Sequence, residues 1–461
     1  MRILLAAHYY LPRHQAGTEL YTRALARRFC KEGHEVCIFT SEDESGQGFH
    51  VAKDSYEGLK VFRIFHSQVP DFKSSYARPE FDQLFGQTLD EVKPDIVHFQ
   101  HLFRLSTGFV SEAKKRKIPA LLTLADYWLI CPAIIMLKPE EAICPGPDEG
   151  RSCANCPHAF SAFAQDLSPS LAWLWKTFET GLAYAHKFKR QLPPSVVDSM
   201  RELFGKKDEH DKKLTLISER WMEMKRAVDD LSLLISPSQF LLEMMVVNRM
   251  VPKEKIIFSD YGFESEGFQK AGQAASRKEG ILTLGFIGTL VKHKGVETLI
   301  QAVRSIPDAK LDLKIFGETR DFPGFVRSLK KLAARDRRIK WMGRMEHDQI
   351  ADALRGIDVL VVPSLWYENS PLTIHEAFMA RVPVIASNIG GMKELIQDGG
   401  GMLFETGNSA DLAAKIKVLA EDPARIATLK KSIPQVKTIE ENCRELMILY
   451  QMLIKNASAD S

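Results

Sequence analysis

Glu368 and Glu376 are separated by seven residues in the segment VVPSLWYENSPLTIHEAFMARVPVIASNIGG. The apolar run Val359–Val362 reads as a buried strand that ends at Pro363, and a new helix is expected to start near Ser370 and Pro371. Proline suits the first helical turn because its missing N–H removes no hydrogen bond there. The free N–H groups of that turn form an anion site suited to phosphate. Carboxylates accept hydrogen bonds from hydroxyl groups, so two of them beside an anion-binding helix end suit a polyhydroxylated, phosphate-bearing ligand. Gly390 and Gly391 follow close behind.

A second segment of this kind is GFIGTLVKHKG, residues 285–295. A strand, a turn at Gly288 and Lys294 ahead of the next helix make another phosphate cradle. In LPRHQAGTELYTRALA, Gly17 lets a loop approach a ligand closely, or simply starts a helix. The pair HFQH and LLTLADYWLICP places His98, His101 and Asp126 near the ends of two expected neighbouring strands. His101 is read either as a site residue or as a satisfied structural histidine. Of the seven cysteines, Cys131, Cys144, Cys153 and Cys156 fall close together. Four thiolates suit a closed structural zinc site, and free thiols or a disulfide are the other readings. Cys30, Cys37 and Cys443 are scattered.

The elements that must position these residues follow a βα rhythm. Strands are expected at 2–7, 35–40, 60–65, 95–99, 120–124, 231–236 and 255–258, then at 282–287, 312–316, 339–342, 359–362, 384–386 and 402–404. Between the first two, residues 18–32 carry Leu20, Ala24, Leu25 and Phe29 at helical spacing and stop at Gly33. Alternation of this kind argues for parallel sheets. Residues 267–280 are small, polar and charged and read as a linker. The expected fold class is α/β: two doubly wound, Rossmann-like domains facing across a cleft, where ligands bind beyond the carboxyl ends of the strands. One stretch, about 139–213, breaks the rhythm as a mostly helical insertion. Within it, 168–192 sets Trp173, Trp175, Phe178 and Tyr184 beside Lys176, Lys187, Lys189 and Arg190. This reads as a helix on a membrane surface or as one packed over the first domain.

The composition narrows the class. With 461 residues, 45% hydrophobic and 26% charged, the chain is globular and long enough for two domains. A net charge of +3 gives no argument for nucleic acid. No apolar run reaches the ~20 residues of a membrane span. The expectation is a cytoplasmic protein, with 168–192 the one segment suited to peripheral contact with the inner face of the membrane.

With these motifs in hand, the chain resembles the family-four retaining glycosyltransferases of the GT-B fold, whose hallmark is a Glu-x7-Glu motif in the second domain. The resemblance covers nearly the whole chain apart from the insertion. It implies an N-terminal acceptor-side domain over 1–266, a C-terminal nucleotide-sugar domain over 267–436, and a helix over 437–461 that crosses back. It implies that Glu368 binds donor-sugar hydroxyls, that Glu376 binds ribose hydroxyls, and that backbone amides in the segment Asn369, Ser370, Pro371 and Leu372, all but the proline, hold the diphosphate. Gly17 and Gly288 would approach that diphosphate, and Lys294 would neutralise it as it leaves. The chain departs from the family at Thr289, where an arginine is usual, with Arg344 or Lys292 to supply the charge. It departs again at Ala125, where relatives carry a histidine beside the reacting sugar carbon. His101 and Asp126 are the nearest candidates for that work. The expected partners are a nucleotide-sugar donor and a glycan or lipid-linked acceptor in polysaccharide or glycolipid synthesis, with no cofactor required for catalysis. A phosphorylase of similar fold would need a pyridoxal lysine and a longer chain. A non-catalytic partner subunit is the competing reading that Ala125 suggests.

Overall fold

The computed structural model describes residues 1–44, 48–67, 71–138, 142–161, 206–269 and 280–459. Its first sheet has eight strands: β1 (Arg2–Ala7), β2 (Glu35–Asp43), β3 (Phe49–Tyr56), β4 (Leu59–His66), β5 (Ile96–Phe99), β6 (Ala120–Thr123), β7 (Leu233–Ser236) and β8 (Ile256–Phe258). The spatial order is β3-β4-β2-β1-β5-β6-β7-β8. The second sheet has six: β9 (Leu282–Ile287), β10 (Leu311–Phe316), β11 (Ile339–Gly343), β12 (Val359–Val362), β13 (Val384–Ser387) and β14 (Gly401–Phe404). Their order is β11-β10-β9-β12-β13-β14. Every pairing is parallel except β3 with β4. Each sheet reverses direction of growth beside its first strand, which opens a crevice at the carboxyl ends.

The central strands are buried on both faces and so read as continuous apolar runs. Ile3 and Leu5 of β1 face one apolar layer and Leu4 and Ala6 the other. The second sheet divides in the same way: Leu284 and Val361 point to one side, Leu360 and Val384 to the other. The edge strand β3 is absent from the sequence expectation. Its burial alternates weakly and no apolar face marks it. It forms because Glu57 and Gly58, with φ of 50° and 80°, make the tight turn that folds it back on β4.

Around the insertion, the described residues include an antiparallel bridge between Leu137 and Ile143, a 3-10 turn at Arg151–Asn155, and the helix Lys206–Asp230. The aromatic and basic segment 168–192 lies outside the described residues, as do residues 270–279 of the expected linker. No helix among the described residues is long and apolar enough to cross a membrane.

The last helix, Ile439–Ala459, packs on the first sheet's outer layer rather than on the second domain. Tyr21 donates its hydroxyl to Asn442 Oδ1 at 2.7 Å, and Arg28 meets Glu440 at 2.7 Å. Deepest is Tyr450, whose hydroxyl lies 2.6 Å from His98 Nδ1 while Thr123 Oγ1 lies 2.7 Å from Nε2. His98 is fully buried, and burial pushes its pKa down to about 3, so it is a neutral structural ring. Tyr450→Phe removes one partner from a buried ring nitrogen and is expected to cost about 1–3 kcal/mol. Urea unfolding monitored by tryptophan fluorescence measures it, and an unchanged midpoint would mean that the bond contributes nothing.

Candidate active site

A cavity of about 550 Å³ lies between the two sheets. Its walls are the segments that follow the carboxyl ends of strands. The first domain supplies Gln15, Ala16 and Gly17 after β1 and Ala125, Asp126 and Tyr127 after β6. The second supplies Gly288 and Thr289 after β9, Arg344 after β11, and residues 368–373 with Glu376 after β12.

Lys294 reaches the cavity through a short 3-10 turn, Lys292–Lys294, that ends at Gly295. Gly295 has φ of 71°, and a Cβ there would lie 1.8 Å from the carbonyl oxygen of Pro363. Only glycine allows that turn to abut the end of β12. His293 O also accepts from Leu365 N at 2.7 Å. The two phosphate-cradle motifs of the sequence are therefore locked side by side.

Glu368 is 6% exposed. Its Oε1 accepts from Lys294 Nζ at 2.6 Å, from Ser364 Oγ at 2.7 Å and from Trp366 Nε1 at 2.8 Å. Burial alone would raise its pKa. The charge of Lys294 and the three donated hydrogen bonds outweigh that and hold it below the usual glutamate value. With Oε1 saturated, Oε2 is the oxygen left to take a ligand hydroxyl. Glu376 is a contrast. It is 3% exposed, its Oε2 has no hydrogen-bond partner, and burial raises its pKa to about 7. His347 Nδ1 stands 3.6 Å from its Oε1.

Between the two lies the start of the helix Leu372–Met379, with Pro371 as its extended cap at φ −67°. The first helical amides, at Leu372 and Thr373, line the cavity without intrahelical partners. The helix begins just past the expected Ser370–Pro371 point, because Ile374 N already closes on Pro371 O. Ser370 Oγ donates to Asp260 Oδ1 and lies 2.8 Å from His375 Nε2.

Gly17, Gly288, Thr289, Lys294, Arg344, Glu368, Asn369, Ser370, Pro371, Leu372, Glu376 and Asp126 all line this one cavity. His101 does not. Its Nε2 bonds Asp126 Oδ2 at 2.8 Å and its Nδ1 accepts from Phe103 N, so it stands behind Asp126 as a support. His98 is further away, on the Tyr450 side of the sheet. Arg344 is largely exposed and pairs with Glu346 at 3.3 Å, whereas Lys292 is exposed and outside the lining.

Sequence reasoning assigned no role to Ser364 and Trp366, the donors that hold Glu368, or to His347 and Tyr261. The Ser-Leu-Trp run before Tyr367-Glu368 was the available signal for the first two. Tyr261 and His347 enter only through the meeting of the two domains.

The four cysteines expected as a zinc site, Cys131, Cys144, Cys153 and Cys156, gather in one region, where the other three all act on the Cys153 thiol. Among the described residues no three Cys, His, Asp or Glu side chains are placed to hold a metal ion. The cysteines lie on separate turns: Cys131 after Tyr127, Cys144 beyond the Leu137–Ile143 bridge, and Cys153 within the 3-10 turn with Cys156 as its cap. Burial raises the Cys131 and Cys153 thiols to about 11 and about 12, so both are neutral core groups at neutral pH.

Comparison with known proteins agrees with this geometry. Residues 269–436 match the family model described as glycosyl transferases group 1, and residues 16–130 match that of glycosyltransferase family 4. An uncharacterized glycosyltransferase of Methanocaldococcus jannaschii is 31% identical over 147 residues, 31% of this chain and 40% of that protein. A D-inositol 3-phosphate glycosyltransferase of Corynebacterium glutamicum is 26% identical over 219 residues, 44% of this chain and 52% of that protein. The chain thus spans about half or less of the length of these curated relatives. Among solved structures, sucrose-phosphate synthase of Thermosynechococcus elongatus superimposes with a TM-score of 0.63 at 16% identity, over 99% of both chains. The Anabaena protein HepE in complex with UDP and glucose gives 0.58 at 15% identity, also over 99% of both. The fold is that of the GT-B glycosyltransferases.

Proposed function

We propose that this chain, which has the GT-B fold and matches glycosyl transferases group 1 over residues 269–436, transfers a sugar from a nucleoside-diphosphate sugar to a glycan or lipid-linked acceptor, with retention at the transferred carbon. The observation that carries the reading is Glu368 and Lys294 paired at 2.6 Å in a cavity that also holds a buried Glu376 whose Oε2 has no hydrogen-bond partner. A nucleotide sugar suits each part. Its ribose hydroxyls donate to Glu376, its diphosphate takes the amides of Leu372 and Thr373 with Lys294, and its sugar hydroxyls meet Glu368 Oε2.

In this mechanism the bond between the anomeric carbon and the diphosphate oxygen breaks, and its electron pair leaves with the nucleotide. Lys294 and the helix amides stabilise the charge that develops there. The acceptor oxygen bonds the same face of the carbon and its proton passes to the departing phosphate oxygen. No protein nucleophile or metal takes part. Ala125 leaves the face near the sugar without an imidazole, with Asp126, braced by His101, as the adjacent polar group. The acceptor lies on the side of the first domain, in cell-surface polysaccharide or glycolipid synthesis.

The direct test is release of nucleoside diphosphate from a panel of UDP-, GDP- and ADP-sugars with glycan and lipid-linked acceptors, beside thermal stabilisation by the same donors. No stabilisation and no release by any donor would defeat the reading. Lys294→Ala is expected to lower kcat/KM by roughly 10²–10³-fold, ~3–4 kcal/mol. Full activity in that variant with a competent donor would remove Lys294 from the phosphate site.

Glu376 sets a pH dependence. Its pKa of about 7 in the free protein means that the proton-bearing form dominates below that value. A diol donates to the carboxylate form, so affinity falls as pH drops below 7, toward about tenfold per unit. UDP-glucose is the suitable probe, because its phosphates do not titrate in this range. Calorimetry between pH 5.5 and 8.5 is expected to show the slope in the parent protein and its loss in Glu376→Gln. A flat profile in both would contradict the ribose assignment.

A further inference from the structure

Asn369 sits between Glu368 and Ser370, yet its side chain turns away from the ligand side of its loop and crosses to the other domain. Its Nδ2 donates to two successive carbonyls, Leu124 O at 3.1 Å and Ala125 O at 3.3 Å. Its Oδ1 accepts from Ser238 Oγ at 2.6 Å. The same Ser238 oxygen accepts from Leu241 N at 3.1 Å, as the cap of the helix Gln239–Val247. The hydroxyl proton is thus committed to Asn369, and the amide has one workable orientation. Turned over, it would set its oxygen against two carbonyls.

These bonds close a ring between the domains. Ser238 leads into Gln239 and Phe240, whose amides donate to the Glu394 carboxylate at 2.9 and 3.0 Å. Glu394 shares the helix Gly390–Gln397 with Gly391, whose amide donates to Glu368 O at 2.9 Å, returning to the residue beside Asn369. Gly391 is obligatory there, since a Cβ would stand 1.4 Å from Asn369 O. The ring of Tyr367 packs 4.7 Å from that of Phe240.

The carbonyls that Asn369 holds belong to the segment that carries Ala125 and Asp126 into the cavity just past β6. Apart from Gly17, the contacts to a donor proposed above come from the second domain. We infer that Asn369 is a positioning residue that fixes the first-domain wall of the reaction site against the donor-binding loop, so that donor affinity and reacting geometry are set by different bonds. Its kinetic part rests on the proposed transfer activity; its structural part does not.

The experiment compares Asn369→Ala, Asn369→Asp and Ser238→Ala with the parent protein in three readouts. Hydrogen exchange of the free proteins is expected to rise about tenfold or more in residues 124–128 and to stay unchanged in residues 282–300. The UDP-glucose Kd is expected to stay within about threefold, since its contacts remain. With the best donor, kcat is expected to fall by about 10–100-fold, the usual consequence of displacing a reacting wall by a fraction of an ångström to an ångström. Asn369→Asp, which keeps the shape but turns an oxygen on the carbonyls, is expected to be at least as slow as Asn369→Ala. Should either Asn369 variant fail to fold, Ser238→Ala decides the matter: it leaves the amide in place and removes the hydroxyl that orients it, and exchange in residues 239–247 reports separately on the helix cap lost with it. Unchanged exchange at 124–128, or equal losses in affinity and rate, would overturn the inference. Absence of turnover in the parent protein would instead strike the transfer reading and leave the exchange result to judge Asn369.

Discussion

A carboxylate as buried as Glu368 survives in its charged form only if donors replace the water it has lost. In this chain three donors meet on one oxygen, and each comes with a requirement on the backbone. Lys294 needs the tight turn after β9, which needs Gly295 pressed on Pro363. Ser364 needs β12 to stop where it does, and Trp366 needs the loop to bend so that its indole N–H points back. The parallel order of β9 beside β12 is what brings these segments together. The charge pair therefore presupposes the sheet, and the free second oxygen of Glu368 is its chemical product.

Glu376 shows the opposite arrangement eight residues on. Its Oε2 has no hydrogen-bond partner and His347 stands 3.6 Å from Oε1, so burial leaves its carboxyl about half ionised near neutral pH. One acid is prepaired and ionised, the other unpaired and titratable. Two carboxylates on one wall are thereby given separate characters by their surroundings. The prepaired acid keeps its geometry with the site empty, whereas the unpaired one gains its partners from what binds.

The site was legible in the sequence wherever function is written in consecutive residues. Glu368, Gly288 and Lys294 each follow a strand and precede a helix, and Glu376 lies within the helix that follows β12, so their position at a sheet's carboxyl edge follows from local pattern alone. The central strands were legible for the same reason: burial on both faces leaves unbroken apolar runs such as Val359–Val362. Strand β3 was hidden because an edge strand with a polar face carries no such run and its turn uses Glu57 in a left-handed conformation. His98 and His101 looked alike in the sequence. Their partners, Tyr450 in one case and Asp126 in the other, are 352 and 25 residues away. The same holds for the side chain of Asn369, whose partners lie 131 and 245 residues earlier.

The placement of the last helix also bears on how the protein is made. Ribosomes deliver the first domain well before the second, and domains generally begin folding in that order. Here the layer that contains Ile3, Leu5, Ile38 and Phe29 is finished by Cys443, Leu446, Tyr450 and Leu453. Until those residues emerge, the nascent first domain carries an apolar seam beside helix Gly17–Lys31 and a buried-type histidine without its tyrosine. Its completion waits on synthesis of the entire second domain, so the half that is translated first is the half that matures last.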